Sequence, residues 1–300
     1  MTRPDHPLAP IATDEGTLAI VAMDQRNTLR RMHAAAGLDV PPDADLVQLK
    51  ADFIDAFRGT ASALLLDPTY GTPALRLAGP GPRVGVLVAA EPEKRGSFNG
   101  EPRTHRDPAL DAAWVRSQGG DAVKFLVQLR VDRPIGPGEP DLAAEVLDVV
   151  RAVVQDCREA GVPAIVENLI YALPGEQPAT AEQRADRIIA AAQALGGLGP
   201  DLLKLEYPGS PAACRRLAEA IDVPWAVLSA GVAFEEFADV LQVSCDEGGA
   251  VGFIAGRAIW KDTIGMTEPQ RRAFLADEGR RRLDGLRTAI AGRARSLTAA

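Results

Sequence analysis

Two lysines set inside apolar runs are the residues of this chain best suited to chemistry. They are Lys124, in Ala122-Val-Lys-Phe-Leu-Val127, and Lys204, in Leu202-Leu-Lys-Leu-Glu206. An ammonium group in an apolar interior loses solvation, which lowers its pKa, and a second ammonium nearby lowers it further. An amine freed of its proton attacks a carbonyl carbon and forms a Schiff base. Carboxylates in the same interior can carry the protons that such chemistry moves, and Glu167 and Asp24 end two other apolar runs. The chain has only five lysines (Lys50, Lys94, Lys124, Lys204, Lys261) against twenty-eight arginines. Lys50, Lys94 and Lys261 read as helix or loop residues, where arginine would serve for charge alone. Arginine cannot give up its proton, so the interior pair asks for a different explanation. The competing reading is a buried Lys–Glu network that merely holds the fold, a use made costly by desolvation.

The elements that position these groups follow from the spacing of apolar runs. The first four are Leu18–Asp24, Ala63–Asp67, Val84–Ala89 and Ala122–Val127. The second four are Pro163–Glu167, Leu202–Glu206, Trp225–Ser229 and Ala250–Ala255. Each is short and almost continuously apolar, as strands covered on both faces are. Amphipathic segments alternate with them at Asp43–Phe57, Pro140–Ala160, Thr180–Leu195 and Phe234–Glu247. Thr180 with Gln183 three residues on reads as a helix-starting cap. Eight βα units followed by a terminal helix predict an α/β protein, a parallel eight-stranded (β/α)₈ TIM barrel, as one domain over 1–300. An open doubly wound sheet fits less well, because the first run is followed by Asp24-Gln-Arg-Asn and not by a glycine-rich turn. The polar, Gly-, Pro- and Arg-rich stretch Glu91–Pro108 is expected to lie over the C-terminal end of the barrel as a loop or lid.

All strands of such a barrel end at one face, where sites are built. The polar residues ending apolar runs are Asp24, Asp67, Lys124, Glu167, Lys204, Glu206, Ser229 and Arg257. Side chains alternate along a strand. Lys204 and Glu206 therefore share the inward face while Leu203 and Leu205 face the helices. Lys124 points inward, with Val123 and Phe125 outward; Glu167 shares the inward face with Ile165, and Asp24 with Ala22. After the seventh run comes Ser229-Ala-Gly231-Val, and after the eighth Ala255-Gly256-Arg257-Ala. Barrels frequently hold phosphate at these two loops. Ser229 and the Arg257 fork supply donors there, and Gly231 and Gly256 let the backbone come close.

Composition narrows the partners. A net charge of −8 disfavours nucleic acid and anionic membrane surfaces, and no run approaches the length of a transmembrane helix. Met1–Pro10 is polar and proline-rich, without the apolar core of a secretory signal. Cys157, Cys214 and Cys245 are scattered, as expected of buried thiols in a reducing, cytoplasmic setting. His6, His33 and His105 show no zinc-ligand spacing, so no protein-built metal centre is expected. The arginine-rich tail Gln270–Ala300 interleaves Asp277, Glu278 and Asp284 and reads as a solvated helix face. Trp260 and Phe253 read as packing residues.

Several motifs together resemble a known family. Asp24-Gln-Arg, Leu66-Asp-Pro-Thr-Tyr-Gly71, Asp121-Ala-Val-Lys-Phe-Leu126, Leu203-Lys-Leu-Glu206, Leu228-Ser-Ala-Gly-Val232 and Gly256-Arg-Ala-Ile-Trp260 are similar to the class I aldolases of the tagatose 1,6-bisphosphate aldolase family. The sulfofructosephosphate aldolases belong to the same group. The likeness runs from about residue 18 to about residue 262, with the motifs in order. It implies a (β/α)₈ enzyme, independent of metal or other cofactor, that cleaves a ketose phosphate to dihydroxyacetone phosphate and an aldehyde. It implies Lys204 as the Schiff-base lysine, Lys124 as its neighbour and Glu167 as the proton-transfer carboxylate. Ser229, Gly231, Gly256 and Arg257 match the phosphate loops; Asp24 and Gln25 match residues near the substrate. The short connection Tyr207-Pro-Gly-Ser-Pro211, Trp225 and His33-Ala-Ala-Ala-Gly37 look more like the sulfofructosephosphate enzymes.

The expected partner is thus a small sugar phosphate, with neither nucleic acid nor membrane. Two other functions are compatible with the same residues. One is an isomerase or decarboxylase that uses lysine without an imine; the other is a sugar-phosphate-binding regulator without turnover. A homo-oligomer is compatible with the chain, dimers being the commonest assembly.

Overall fold

The computed structural model describes residues 6–297. Residues 1–5 of the Met1–Pro10 segment and the last three of the Gln270–Ala300 tail lie outside the described residues. The eight apolar runs form the strands of a closed parallel barrel, each within a residue or two of its expected bounds. In chain order the strands are β1 (Leu18–Met23), β2 (Ala63–Leu66), β3 (Gly85–Ala89), β4 (Gly96–Phe98), β5 (Glu101–Arg103), β6 (Ala122–Val127), β7 (Ala164–Asn168), β8 (Leu202–Leu205), β9 (Trp225–Leu228) and β10 (Gly252–Ala255). The barrel closes in the order β1-β10-β9-β8-β7-β6-β3-β2, and β4 with β5 forms a separate antiparallel hairpin.

The first helices are α1 (Asn27–Ala35), α2 (Asp43–Phe57), α3 (Gly71–Ala78) and α4 (Ala112–Ser117). They are followed by α5 (Leu142–Ala160), α6 (Ala181–Gly196), α7 (Pro211–Ala220) and α8 (Phe234–Gly248). The chain ends with α9 (Arg257–Trp260), α10 (Glu268–Phe274) and α11 (Arg280–Ile290). Thr180 and Gln183 make the reciprocal capping box at the start of α6, so the cap was readable from two side chains three residues apart.

Strand alternation divides the apolar side chains into two shells. Ile20, Ala22, Leu65, Leu87, Ile165 and Ala226 belong to an inner cluster, which Leu8 and Ile11 from an N-terminal 3₁₀ turn also join. Val21, Leu64, Val123, Phe125, Leu203 and Leu205 lie in the outer shell against the helices. Trp260 packs with Phe53, ring centroids 5.1 Å apart, and Phe253 meets Phe237 edge-on. The inner cluster is apolar at the N-terminal end of the strands. At the C-terminal end the same inward positions change to Asp24, Lys124, Glu167 and Lys204, so charge is confined to one mouth of the barrel.

Two expectations about surface segments change. The Glu91–Pro108 stretch contains the β4–β5 hairpin, and buried ion pairs tie it down. Arg133 forks onto Glu101 at 2.9 and 3.0 Å, and the Tyr171 hydroxyl donates to the same carboxylate at 3.1 Å. Burial, with the Glu101 carboxylate, pushes the Tyr171 phenol up to about 12. Arg130 joins the next loops through Glu176 at 2.9 Å and the Tyr171 carbonyl at 2.8 Å. The tail, in turn, is more than a solvated face. Leu275, Leu283, Leu286 and Ile290 are buried against the barrel, and Arg271 pairs with the buried Asp52 at 2.5 Å.

Candidate active site

Four strand ends bring one lysine and three carboxylates to a point. Lys124 Nζ lies 2.8 Å from Asp24 Oδ2, 2.9 Å from Glu91 Oε1 and 2.8 Å from Glu167 Oε2. Register explains the meeting: Ala89 is opposite Lys124 across β3–β6, and Glu167 is opposite Lys204 across β7–β8. The other oxygen of Glu167 is 3.0 Å from Lys204 Nζ. Glu167 thereby bridges both amines, as the inward alternation of the three residues requires. Lys124 is 1% exposed and Lys204 4%.

The electrostatics separate the two lysines. Burial alone would pull the Lys124 ammonium down, but the carboxylates of Asp24, Glu167 and Glu91 outweigh it and hold its pKa above the ordinary lysine value. The expectation that both interior lysines have depressed pKa values is therefore corrected for Lys124. An amine paired with three anions stays protonated. Burial raises the Asp24 pKa while Lys124 and then Lys204 lower it, and the cations prevail, leaving it well below the usual carboxylate value. The Glu167 carboxyl is lowered in the same way by Lys124 and Lys204, against its burial and the repulsion of Asp24. Lys204 has a single carboxylate partner among the described residues, Glu167.

Two adjoining cavities, of about 420 and 300 Å³, open over this cluster. Both are lined by Gln25, Glu167, Leu169, Lys204 and Arg257, which puts the Lys204 amine at their junction. The larger cavity extends to Arg26, Arg31, Arg95 and Thr28. The smaller is lined by Ser229, Ala230, Gly256 and Arg257. The Gln25 Oε1 atom is buried and has no hydrogen-bond partner among the described residues, leaving an acceptor on a wall common to both.

The anion loops have specific backbone causes. Ala230 takes φ +48° and Gly231 φ +90°, a left-handed pair that folds the loop back over Arg257. A Cβ on Gly231 would sit 2.9 Å from the guanidinium carbon of Arg257. Arg257 in turn donates to the Ala230 carbonyl at 3.0 Å, joining the loops after β9 and β10. Gly256 is glycine for a different reason than expected, since its Cβ would lie 2.1 Å from the Ala22 carbonyl oxygen of β1. Gly231 stands behind Arg257 and is not itself on the cavity wall.

The remaining polar strand ends fall elsewhere. Glu206 turns to the smaller cavity and accepts from the Ile170 amide at 2.8 Å and from Arg184 at 2.7 Å. Asp67 is fully buried, away from both cavities, and pairs with Lys50. That pair corrects the reading of Lys50 as an ordinary helix lysine. Glu91 was missed because it begins a polar stretch, yet Leu87 and Ala89 precede it at alternate positions and mark it as inward. Cys157, Cys214 and Cys245 are buried and free, and burial pushes their thiols up to about 12, 11 and 12. No helix among the described residues is long and apolar enough to cross a membrane.

Comparisons with known proteins point to aldolases. A tagatose 1,6-diphosphate aldolase 2 of Streptococcus pyogenes serotype M1 is 27% identical, over 91% of this chain and 90% of that protein. The protein of the same name from Enterococcus faecalis is 29% identical, over 95% and 93%. Among solved structures, an archaeal fructose 1,6-bisphosphate aldolase superposes with a TM-score of 0.61 at 17% identity, covering 93% of this chain and 98% of that one. The fructose-bisphosphate aldolase of Plasmodium falciparum gives 0.73 at 15% identity, covering 98% of each. At such identities the structures speak for the barrel fold alone. The sequence profile of the DeoC/LacD family aldolases matches residues 18–262, and the chain, an aldolase and hence a lyase, belongs to that family.

Proposed function

We propose that this protein is a class I aldolase that cleaves a ketose 1-phosphate to dihydroxyacetone phosphate and an aldehyde through a Schiff base on Lys204. The observation that carries this reading is the asymmetry of the two lysines. Lys124 is locked by three carboxylates, whereas Lys204 has one partner and stands where the two cavities join.

In this reading the 1-phosphate occupies the smaller cavity, against Ser229, the 229–231 loop backed by Gly231, Gly256 and the Arg257 fork. Lys204 passes a proton to Glu167, 3.0 Å away, and its lone pair attacks the C2 carbonyl. The resulting alkoxide takes one proton from the attacking nitrogen and a second from Glu167, and leaves as water, giving an iminium. Glu167, assisted by Asp24, then removes the C4 hydroxyl proton. The C3–C4 pair flows into the iminium, the aldehyde departs, and an enamine remains. Protonation at C3 and hydrolysis release dihydroxyacetone phosphate and restore the amine. Lys124 keeps its proton throughout and holds Asp24, Glu91 and Glu167 in place. The distal part of the ketose extends into the larger cavity, whose Arg26, Arg31 and Arg95 suit a second anionic group, as in tagatose 1,6-bisphosphate or sulfofructose 1-phosphate.

Borohydride reduction with dihydroxyacetone phosphate present, followed by peptide mass mapping, tests the assignment, and an adduct on Lys204 is expected. Absence of that adduct would end the Schiff-base reading in favour of an isomerase, a decarboxylase or a binding protein. Turnover coupled to dihydroxyacetone phosphate, run on both candidate ketoses, separates these and ranks the distal groups. Activity is expected to persist in EDTA, because the iminium itself accepts the electron pair.

A further inference from the structure

Lys50 is as buried as Lys124, and the site described so far makes no use of it. It projects from α2, outside the barrel, and is 1% exposed. Its ammonium donates to the Met23 carbonyl at 2.7 Å and the Gln25 carbonyl at 2.9 Å, and to the carboxylate of Asp67. Three protons thus meet three acceptors, with the Tyr70 ring covering the group at 5.6 Å. Asp67 is fixed in turn by the Tyr70 amide at 2.8 Å and the Gly71 amide at 3.1 Å. A buried ion pair is a poor stabiliser compared with apolar residues of similar volume, so stability alone is a weak account of why it is there.

The two carbonyls it grips belong to the residues on either side of Asp24. We infer that Lys50, anchored by Asp67, is a positioning residue for the aldolase reaction: it clamps the end of β1 from outside the barrel and so aims Asp24 at Lys124. The inference rests on the proposed Schiff-base reading. The Met23 carbonyl lies in the peptide plane entering Asp24 and the Gln25 carbonyl in the plane leaving Gln25, so the two bonds pin both ends of the Asp24–Gln25 segment and limit the direction of the Asp24 side chain. The Asp24 carboxylate can then meet the Lys124 amine at 2.8 Å only along that direction. Arg26, next along, carries the same geometry onward by donating to the Glu91 carbonyl at 3.2 Å. Charge acts in the same sense. The groups facing Asp24 are Lys124 from β6, Lys204 from β8, the carboxylates of Glu91 and Glu167, and Lys50 from outside. Lys50 adds to the positive field that keeps Asp24 ionised.

The test is the double variant K50M/D67N. Methionine keeps the unbranched shape, and asparagine keeps an acceptor for the Tyr70 and Gly71 amides, so no buried charge is left alone. With folding confirmed by circular dichroism, kcat is expected to fall about 10- to 100-fold, the cost of misplacing a reacting group by about 1 Å. KM should be nearly unchanged, and the acid limb of the kcat–pH profile should move upward as Asp24 loses a cation and its fixed direction. A folded double variant with wild-type kcat and acid limb overturns the inference. Lys50→Arg is read in parallel, because it keeps the charge but cannot place three protons on these three acceptors. It should show the same loss in kcat at wild-type KM, and wild-type kcat in it also overturns the positioning role. Failure of both variants to fold would assign the pair to stability and likewise overturn it. Borohydride trapping on the wild-type enzyme keeps the two readings apart. No Lys204 adduct there sinks the aldolase mechanism, whereas a normal adduct with unchanged variants sinks only the clamp.

Discussion

Replacing Lys124 by methionine is the perturbation whose consequences follow most directly from the geometry. The substitution leaves Asp24, Glu91 and Glu167 converging on a site that has lost the cation lying within 2.9 Å of each. At an effective dielectric constant of about 20, one contact at such a distance is worth roughly 6 kcal/mol before desolvation. The measurable loss is smaller, because a crowded carboxylate takes up a proton instead. Holding a carboxyl of ordinary pKa about 4.3 in its protonated form at pH 7 costs about 3.7 kcal/mol, at roughly 1.36 kcal/mol per pH unit. That ceiling agrees with the approximately 3–5 kcal/mol expected when one partner of a buried pair is removed.

The same reasoning fixes the pH dependence. In the wild type the pKa values of Asp24 and Glu167 are lowered on folding. Their stabilisation is complete above the unfolded carboxyl values and is lost only as pH falls through the folded ones. Between pH 5 and 7 their contribution is therefore flat. In Lys124→Met a carboxyl has its folded pKa raised, so stability is fullest below the unfolded value and declines as pH rises toward the folded one. The destabilisation should be about 4 kcal/mol at pH 7 and about 1 kcal/mol at pH 5. Urea unfolding of both proteins at several pH values reads this difference directly. Adding Glu91→Gln to the variant removes one surplus carboxylate and should recover much of the loss at pH 7. A deficit equal at pH 5 and 7, or below about 1 kcal/mol at pH 7, would mean that the carboxylates do not depend on Lys124 as argued.

Two further substitutions test the loops. Gly231→Ala combines a strained φ of +90° with a Cβ placed 2.9 Å from the Arg257 guanidinium, so it should cost about 1–2 kcal/mol of stability and raise KM for a 1-phosphate more than it lowers kcat, measured by steady-state kinetics. Arg133→Ala strands Glu101 and frees the β4–β5 hairpin from the loop after β6; limited proteolysis should then cut near Gly96–Arg103 much faster than in the wild type, and equal cleavage rates would show that the hairpin is held by other contacts.

How much of this could be seen in the sequence depends on how local each cause is. A strand buried on both faces announces itself by five or six consecutive apolar residues, and a lysine or glutamate within such a run has its direction set by alternation with its immediate neighbours. Hence Lys124, Glu167, Lys204 and Asp24 were each assignable to the barrel interior from their own strand. Glu91 obeyed the same alternation after Leu87 and Ala89, but it lies beyond the last paired residue of β3, where the composition turns polar and masks the period. The raised pKa of Lys124 has no local signal. Its three anions come from other strand ends, and only closure of the barrel brings them together, so burial read from one strand predicts the wrong direction.

Lys50 exposes a different failing of local reading. A lysine in a polar-looking helix is ordinarily explained by solvent, yet Leu46, Leu49, Lys50, Phe53 and Phe57 follow the 3.6-residue period of a single buried face. The lysine occupies a position in that stripe that an apolar residue would normally take. That anomaly was visible without coordinates, whereas its meaning was not. Which acceptors a buried amine finds depends on where the helix is laid down, here across the end of β1 and beside Asp67. The two interior amines most remote from solvent, Lys50 and Lys124, both bond around Asp24, one holding its backbone and the other its carboxylate. On the proposed mechanism Lys204, with a single anion partner among the described residues, is the amine that reacts. The reactivity of one lysine is on that mechanism a property of three, set by how many acceptors the fold assigns to each.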